Sequence, residues 1–299
     1  MPFKPIDVCW HHGRRLCADQ TLLDEMLSGP DFIHHPNLDE PVEGAIVIVP
    51  VSPSLGDVAY INNRMSSMKW VVLCIVGDEE SRFPHHLMRH PNMRTWIMSP
   101  VKDKHFPPRF LINGSWPGLH DAIRKFGPQP KTLDWFFAGQ VTHERRYQCV
   151  KQLRNMPNGH LLETPGFTQG MPREEYYKLM LSAKVIPCPS GPVELATARI
   201  FEAVECGCVP IVDGRTPHPE SATAPPYGYW EWFFNGEPPF IVIYDWEALP
   251  EVMAKALEHH DEWVKLFQER WNLWKQSCFV RLVRDAEILR GDACQISQS

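Results

Sequence analysis

Arg199 and Glu202 lie three residues apart inside the stretch Ser182–Gly214, where an apolar run, a Pro-Ser-Gly-Pro loop, a helical pattern and a second apolar run follow one another. Ala183–Pro187 reads as a buried strand, Pro189-Ser190-Gly191-Pro192 as a loop, Ala196–Glu205 as a helix stopped by Gly207, and Val209–Val212 as the next strand. A strand–helix–strand unit predicts a parallel sheet. Ligands in such sheets sit beyond the carboxyl ends of the strands, where helix N-termini aim backbone N–H groups at anions. Arg199 falls in the first helical turn and can add a bidentate phosphate contact, so the ligand expected here is a nucleotide diphosphate. The plain alternative is a solvated Arg199–Glu202 pair on one helical face.

Upstream, Leu133–Gln140 reads as the first strand of the same domain, with a turn at Gly139 and a helix from about His143 to Met156. Arg145 and Arg146 fall near the start of that helix, which makes either one a candidate phosphate ligand or an ordinary surface residue. Leu161–Glu163 is expected as a second strand, Pro165-Gly166-Phe167 as a loop on which a base ring could rest, and Glu174–Ser182 as an amphipathic helix.

At these residues the chain resembles the C-terminal half of nucleotide-sugar glycosyltransferases of the GT-B fold, most closely the exostosin-like family. The resemblance rests on Pro187-Cys188-Pro189-Ser190-Gly191, on Thr197-Ala198-Arg199-Ile200-Phe201-Glu202-Ala203, and on Gly207-Cys208-Val209-Pro210-Ile211, and it extends from about Trp135 to Val212. Thr197 stands where family members usually carry a serine, which keeps the hydroxyl. The resemblance implies an α/β fold of two Rossmann-like domains whose parallel sheets face across a cleft, with a C-terminal helix returning to the N-terminal domain. It also implies a UDP-sugar donor, with Arg199 near the diphosphate and Glu202 on the ribose hydroxyls. Glu194 precedes Glu202 with seven residues between them, a spacing many GT-B transferases use, the first glutamate at the donor sugar. Two carboxylates suit vicinal diols because each accepts several hydrogen bonds. Gly139, Arg145, Arg146, Pro189, Ser190, Gly191 and Thr197 complete the expected donor-binding set.

Length agrees with two domains: 299 residues divide into a 1–126 acceptor domain, a 131–265 donor domain and a 266–290 return helix, with Gly127-Pro128-Gln129-Pro130-Lys131 as the boundary. In the first half Ala45–Pro50 and Trp70–Val76 are continuous β-branched runs, as strands covered on both faces should be. Asp57–Ser67 reads as the helix between them, and Arg94–Met98 and Phe110–Ile112 as further short strands. Near the C-terminus Trp246–His259 and Asp261–Leu289 are helical in pattern, with Trp263, Phe267, Trp271, Trp274 and Cys278 at three- and four-residue steps. The aromatic cluster within Ala222–Pro239 reads as a structured loop whose rings either pack or stack on a sugar or a base.

No apolar run approaches the roughly 18 residues a membrane span requires. Met1–Trp10 lacks a signal-peptide pattern, and nine scattered cysteines argue for reduced thiols, so a cytoplasmic protein is expected. Cys206 and Cys208 lack a His partner at finger spacing, and no metal or tightly bound cofactor is expected. Inverting sugar transfer needs a base for the acceptor hydroxyl, and in GT-B enzymes it comes from the N-terminal domain. Asp78 or Glu79, beyond the strand Trp70–Val76, is the favoured base, with Asp57, His34 and His35 as competitors.

The net charge of −6 disfavours a general nucleic-acid binder. Ser81–Lys125 nevertheless carries a local basic excess, Arg82, Arg89, Arg94, Lys102, Lys104, Arg109, Arg124 and Lys125 against Asp103 and Asp121. The acceptor expected first is therefore a glycan, with a hydroxymethylated base in DNA as the alternative. A non-catalytic nucleotide-sugar or glycan binding module is the rival of a different class.

Overall fold

The computed structural model describes residues 4–11, 13, 18–50, 55–77, 87–98, 109, 111, 114–166, 169–192, 194–215 and 228–291. Contacts divide the chain into two units. Unit 1 holds the described residues up to Gly114 together with those from Lys275 onward, and unit 2 runs from Ser115 to Trp274.

Unit 1 contains β1 (Ile6–Trp10), α1 (Ala18–Met26), β2 (Phe32–His35), β3 (Gly44–Pro50), α2 (Leu55–Met65), β4 (Trp70–Val76) and β5 (Met93–Ile97). The strands form one parallel sheet in the order β2-β1-β3-β4-β5. β3 and β4 pair in register over their whole length, Gly44 beside Trp70 through Pro50 beside Val76, and every residue of both is buried. Their unbroken apolar sequence follows from that position, because a central parallel strand is covered on both faces. Ile61 and Met65 of α2 join Val47, Val49, Leu73 and Ile75 in the core. Phe110 and Ile112 of the expected strand lie outside the described residues, while Ile97 bonds through its backbone to Arg109 and Leu111.

Unit 2 contains α3 (Leu119–Phe126), β6 (Leu133–Gly139), α4 (Glu144–Leu153), β7 (Gly159–Glu163), α5 (Arg173–Ser182), β8 (Ala183–Cys188), α6 (Ala198–Glu205), β9 (Val209–Asp213), α7 (Tyr229–Phe234), β10 (Ile241–Ile243) and α8 (Leu249–Glu258). Its parallel sheet has the order β10-β9-β8-β6-β7. Gly207 stops α6 with φ +64°: Gly207 N–H bonds to Val204 O at 3.1 Å and Cys208 N–H to Ala203 O at 2.9 Å. This is the left-handed helix cap that glycine permits.

The division between units falls at Gly114–Ser115, ahead of the expected Gly127–Lys131 boundary. α3 belongs with unit 2, where Lys125 pairs with Glu174 of α5 at 2.6 Å and the Tyr177 hydroxyl of α5 lies 3.1 Å from Trp116 O, just ahead of α3. The last helix, α9, runs unbroken from His260 to Arg290, and its residues from Lys275 onward count with unit 1. No helix among the described residues is long and apolar enough to cross a membrane.

Candidate active site

In unit 2 the chain leaves β6 for β7 on one side and returns to β8 on the other. β6 and β8 therefore flank the point where the winding reverses, and ligands of open α/β sheets bind beyond the carboxyl ends of such strands. Gly139 closes β6 there, the loop 189–197 follows β8, and Asp213 closes β9.

Arg199, the second residue of α6, turns its guanidinium back over the end of β6. Nη2 donates to Ala138 O at 2.6 Å, and the guanidinium carbon lies 4.7 Å from the Phe137 ring centroid. Gly139 makes room for it, since a Cβ at that position would stand 2.6 Å from Nη2. Nε and Nη1 of Arg199 are buried with no hydrogen-bond partner. The same holds for Oγ of Ser190 and Oγ1 of Thr197. Thr197 is the N-cap of α6, yet its side chain makes no capping bond. Leaving buried donors unmade costs about 1–3 kcal/mol each and more when charged. A set of them gathered where helix N–H groups also point is an anion site in its chemistry.

The two glutamates are held by different elements. Glu194 Oε1 accepts from Leu195 N–H at 3.1 Å and from Tyr229 OH at 2.9 Å, and its backbone carbonyl accepts from Gly191 N–H at 2.8 Å. Glu202 is 2% exposed. Its Oε1 accepts from Trp116 N–H at 3.1 Å and Tyr177 OH at 3.2 Å, and its Oε2 from Tyr176 OH at 3.2 Å. Burial pushes the Glu202 carboxyl above its ordinary value. It also pushes up the phenols of Tyr176, Tyr177 and Tyr229, which keeps all three hydroxyls as donors. Glu202 thus ties α6 to α5 and to the start of unit 2, and a ribose would find it already accepting three hydrogen bonds.

Arg145 differs from the phosphate ligand expected of it. Its Nε and Nη2 both bind the carboxylate of Asp213, Nη2 also donates to Tyr244 O at 3.1 Å, and Nη1 donates to Gln148 Oε1 at 3.1 Å. Asp213 is fully buried and further accepts from Trp246 Nε1 at 3.1 Å and Arg215 N–H at 3.2 Å. The guanidinium is committed to an internal clamp because a buried carboxylate needs a paired cation. Asp213 follows the apolar run Val209–Val212, and nothing local in the sequence marks it as the partner of an arginine 68 positions earlier. Arg146 donates from Nε to Ser190 O at 3.1 Å and from Nη1 to Gln140 O at 3.2 Å, which joins the loops after β6 and β8. Pro189 and Gly191 are buried in the second of these loops. Phe167 of the expected base-binding loop lies outside the described residues.

In the stretch expected as a loop, Tyr229–Phe234 forms helix α7. Trp230 packs edge-on against Phe240 at 4.8 Å and donates to Asp213 O at 3.0 Å, so most of the aromatic cluster is core.

Among the unit 1 candidates, Asp57 lies in the first turn of α2 with His11 Nε2 3.7 Å from its Oδ1. Asp78 and Glu79 lie outside the described residues. His34 accepts at Nδ1 from Trp10 Nε1 at 3.0 Å and so donates from Nε2 to Leu27 O at 2.8 Å, a fixed tautomer with both nitrogens engaged. His35 pairs with Asp7 at 2.7 Å. Among the described residues no group of three or more His, Cys, Asp or Glu is arranged to hold a metal ion.

The basic stretch does not form one patch among the described residues. Arg94 and Arg109 both pair with Asp285 of α9, Arg124 pairs with Asp121, and Lys125 with Glu174 in unit 2. Arg82, Lys102 and Lys104 lie outside the described residues.

Residues 165–280 match the family model described as the RXYLT1 C-terminal domain. An Arabidopsis thaliana protein described as a probable glycosyltransferase is 29% identical over 161 residues, 51% of this chain, and the match spans only 29% of that protein's length. The structure of Anabaena HepE in complex with UDP-glucose superposes with a TM-score of 0.51 at 10% identity, covering 96% of this chain and all of that one. Sucrose-phosphate synthase from Thermosynechococcus elongatus gives 0.51 at 12% identity, covering 82% of this chain and 74% of that one. The fold defined by these two parallel sheets is GT-B. The family match covers the larger part of unit 2 and continues along α9 to residue 280, and with the Arabidopsis relative it bears out the resemblance to exostosin-like glycosyltransferases.

Proposed function

We propose that the protein is a glycosyltransferase that moves a sugar, hexose or pentose, from a UDP-sugar to a hydroxyl of a glycan. The observation that carries the reading is the group of buried donors without acceptors, Nε and Nη1 of Arg199 with the hydroxyls of Ser190 and Thr197, at the switch point of a GT-B donor domain. A diphosphate supplies the acceptors they lack. As the sugar leaves, negative charge gathers on that diphosphate, and Arg199 with the first N–H groups of α6 stabilises it where it develops. In this reading Glu194, which accepts from Tyr229, takes hydroxyls of the donor sugar, and Glu202 takes the ribose by exchanging a tyrosine hydroxyl for a sugar hydroxyl. The HepE structure that shares this fold holds UDP-glucose, which supports the choice of uridine. Thermal unfolding with UDP, GDP, ADP and dTDP tests the reading. UDP at a hundred times its dissociation constant should stabilise the chain by about 2.7 kcal/mol. Stabilisation by none of the four would refute it.

A further inference from the structure

Helix α7 is anchored inside unit 2 by its aromatic side chains. Trp230 is buried, packs edge-on against Phe240 and donates to Asp213 O at the end of β9, and Phe233 stacks on Trp274 at 6.0 Å. Gly228, with φ +70°, turns the chain into the helix, and Tyr229 is the first helical residue. The Tyr229 ring is buried and lies edge-on to Trp230 at 4.8 Å, so core packing fixes where its hydroxyl points. That hydroxyl donates to Glu194 Oε1, 35 positions earlier in the chain.

A carboxylate on a loop turns about its own side-chain bonds, and holding it in one rotamer costs conformational entropy. Two of the donors at Glu194 Oε1 are local, Leu195 N–H at 3.1 Å and Ala196 N–H at 3.5 Å, and they move with the loop. Tyr229 comes from another element, and through its neighbour Trp230 it ties the carboxylate to the end of β9. Donors from two directions on one oxygen set the plane of the carboxylate and the direction in which Oε2 is presented. Burial pushes the Tyr229 phenol above its ordinary value, so the hydroxyl remains a donor at neutral pH. Ordering a binding group before its ligand arrives removes that cost from the binding step.

We infer that Tyr229 is a positioning residue for the donor sugar: it presents the Glu194 carboxylate to the sugar hydroxyls in one orientation, which makes α7 the element that selects among UDP-sugars. This rests on the glycosyltransferase reading and adds to it the residue and the element behind the choice of sugar. A carboxylate held in one orientation matches one arrangement of hydroxyls and leaves an epimer's bond unmade. UDP alone has no transferable sugar for Glu194 to hold, so the two parts of the donor should respond differently to loss of the tyrosine hydroxyl.

Calorimetry on the full chain with UDP, UDP-glucose, UDP-galactose, UDP-xylose and UDP-N-acetylglucosamine tests this. Tyr229→Phe keeps the ring in the core, and its affinity for UDP should stay within about twofold of wild type. Its affinity for the UDP-sugar that wild type binds best should fall about tenfold, the scale of a hydrogen bond to a charged group. The spread of affinities among the four UDP-sugars should narrow. Glu194→Ala should weaken the same UDP-sugar and spare UDP, and adding Tyr229→Phe to it should cost little more, since the two side chains act through one contact. No binding of UDP or of any UDP-sugar by wild type would overturn the proposed activity and this inference with it. Where wild type binds UDP, four results would overturn the role of Tyr229 alone: no binding of any UDP-sugar, unchanged UDP-sugar affinity in Tyr229→Phe, equal losses for UDP and UDP-sugar, or additive losses in the double variant.

Discussion

At the residue scale, a binding group and a structural group differ in whether the protein completes their hydrogen bonds. Ser190 Oγ and Thr197 Oγ1 are buried without partners, so their removal takes no bond from the free protein. Ser190→Ala and Thr197→Val should leave the urea midpoint unchanged or slightly raised. Each should weaken UDP binding by about 0.5–1.5 kcal/mol, read by calorimetry. Arg199→Ala should cost more affinity than either, because its bonds to a diphosphate are charge-assisted. Glu202 has both characters: three groups of the protein already donate to its buried carboxylate, and a ribose hydroxyl has to displace one of them. Burial holds its carboxyl above the ordinary 4.5. The folded chain therefore binds that proton more tightly than the unfolded chain, and the stability this confers is present at low pH and lost as pH climbs from 4.5 through the raised value. Glu202→Gln should flatten that decline in urea midpoints measured between about pH 4.5 and 7. An unchanged slope would show that Glu202 ionises as an exposed carboxyl does.

At the element scale, strand ends set the site. Arg145 reaches from α4 to Asp213 at the end of β9, and Asp213 also receives Trp246. Asp213→Ala leaves a guanidinium almost buried and without its partner, and the loss expected is about 3–5 kcal/mol. Chemical denaturation measures it, and a loss below about 1 kcal/mol would mean the pair is no more than a surface contact. Gly139→Ala is subtler: the new methyl displaces Arg199 Nη2 from Ala138, so UDP affinity should fall while the fold survives. The elements legible in the sequence were those with a single physical cause. β3, β4, β6, β8 and β9 are near-continuous apolar runs because both faces are covered. β1 and β2 carry Asp7, His34 and His35 and lie at or beside the sheet edge, where that signal fades. α7 escaped because six residues of mostly aromatic sequence, Tyr229–Phe234, show neither a polar face nor strong helix formers. Arg199 was legible from its place in the first turn of α6. The commitment of Arg145 was not, since it depends on Asp213, 68 positions away in the chain.

At the scale of the whole molecule, basic residues crowded in sequence are answered by carboxylates, inside the fold for Arg94 and Arg109 and at the surface for Arg124 and Lys125. Asp285 of α9, buried in unit 1, accepts from Arg94 Nη1 at 3.0 Å and Trp96 Nε1 at 3.1 Å and pairs with Arg109. Asp285→Ala should destabilise unit 1 by about 3 kcal/mol or more, because two arginines lose their shared partner. The sequence shows the arginines crowded in one stretch, but the acid that pairs with them is almost two hundred residues further on. A run of like charges in sequence is a run in space only when nothing distant answers it. With Arg94, Arg109, Arg124 and Lys125 each opposite a carboxylate and the chain at −6 overall, the field needed to hold a phosphate backbone is weak. Duplex binding should therefore disappear near physiological ionic strength, since each neutralised phosphate contributes about −0.9 to the log–log salt slope and few are neutralised. Mobility shifts of plain and hydroxymethylated duplexes at two salt concentrations should show no retardation at the higher one. Labelled sugar from a UDP-sugar should pass to saccharide hydroxyls and not to the modified duplex. Retardation that survives the higher salt, together with label on the hydroxymethylated base, would reverse the assignment and make DNA the acceptor.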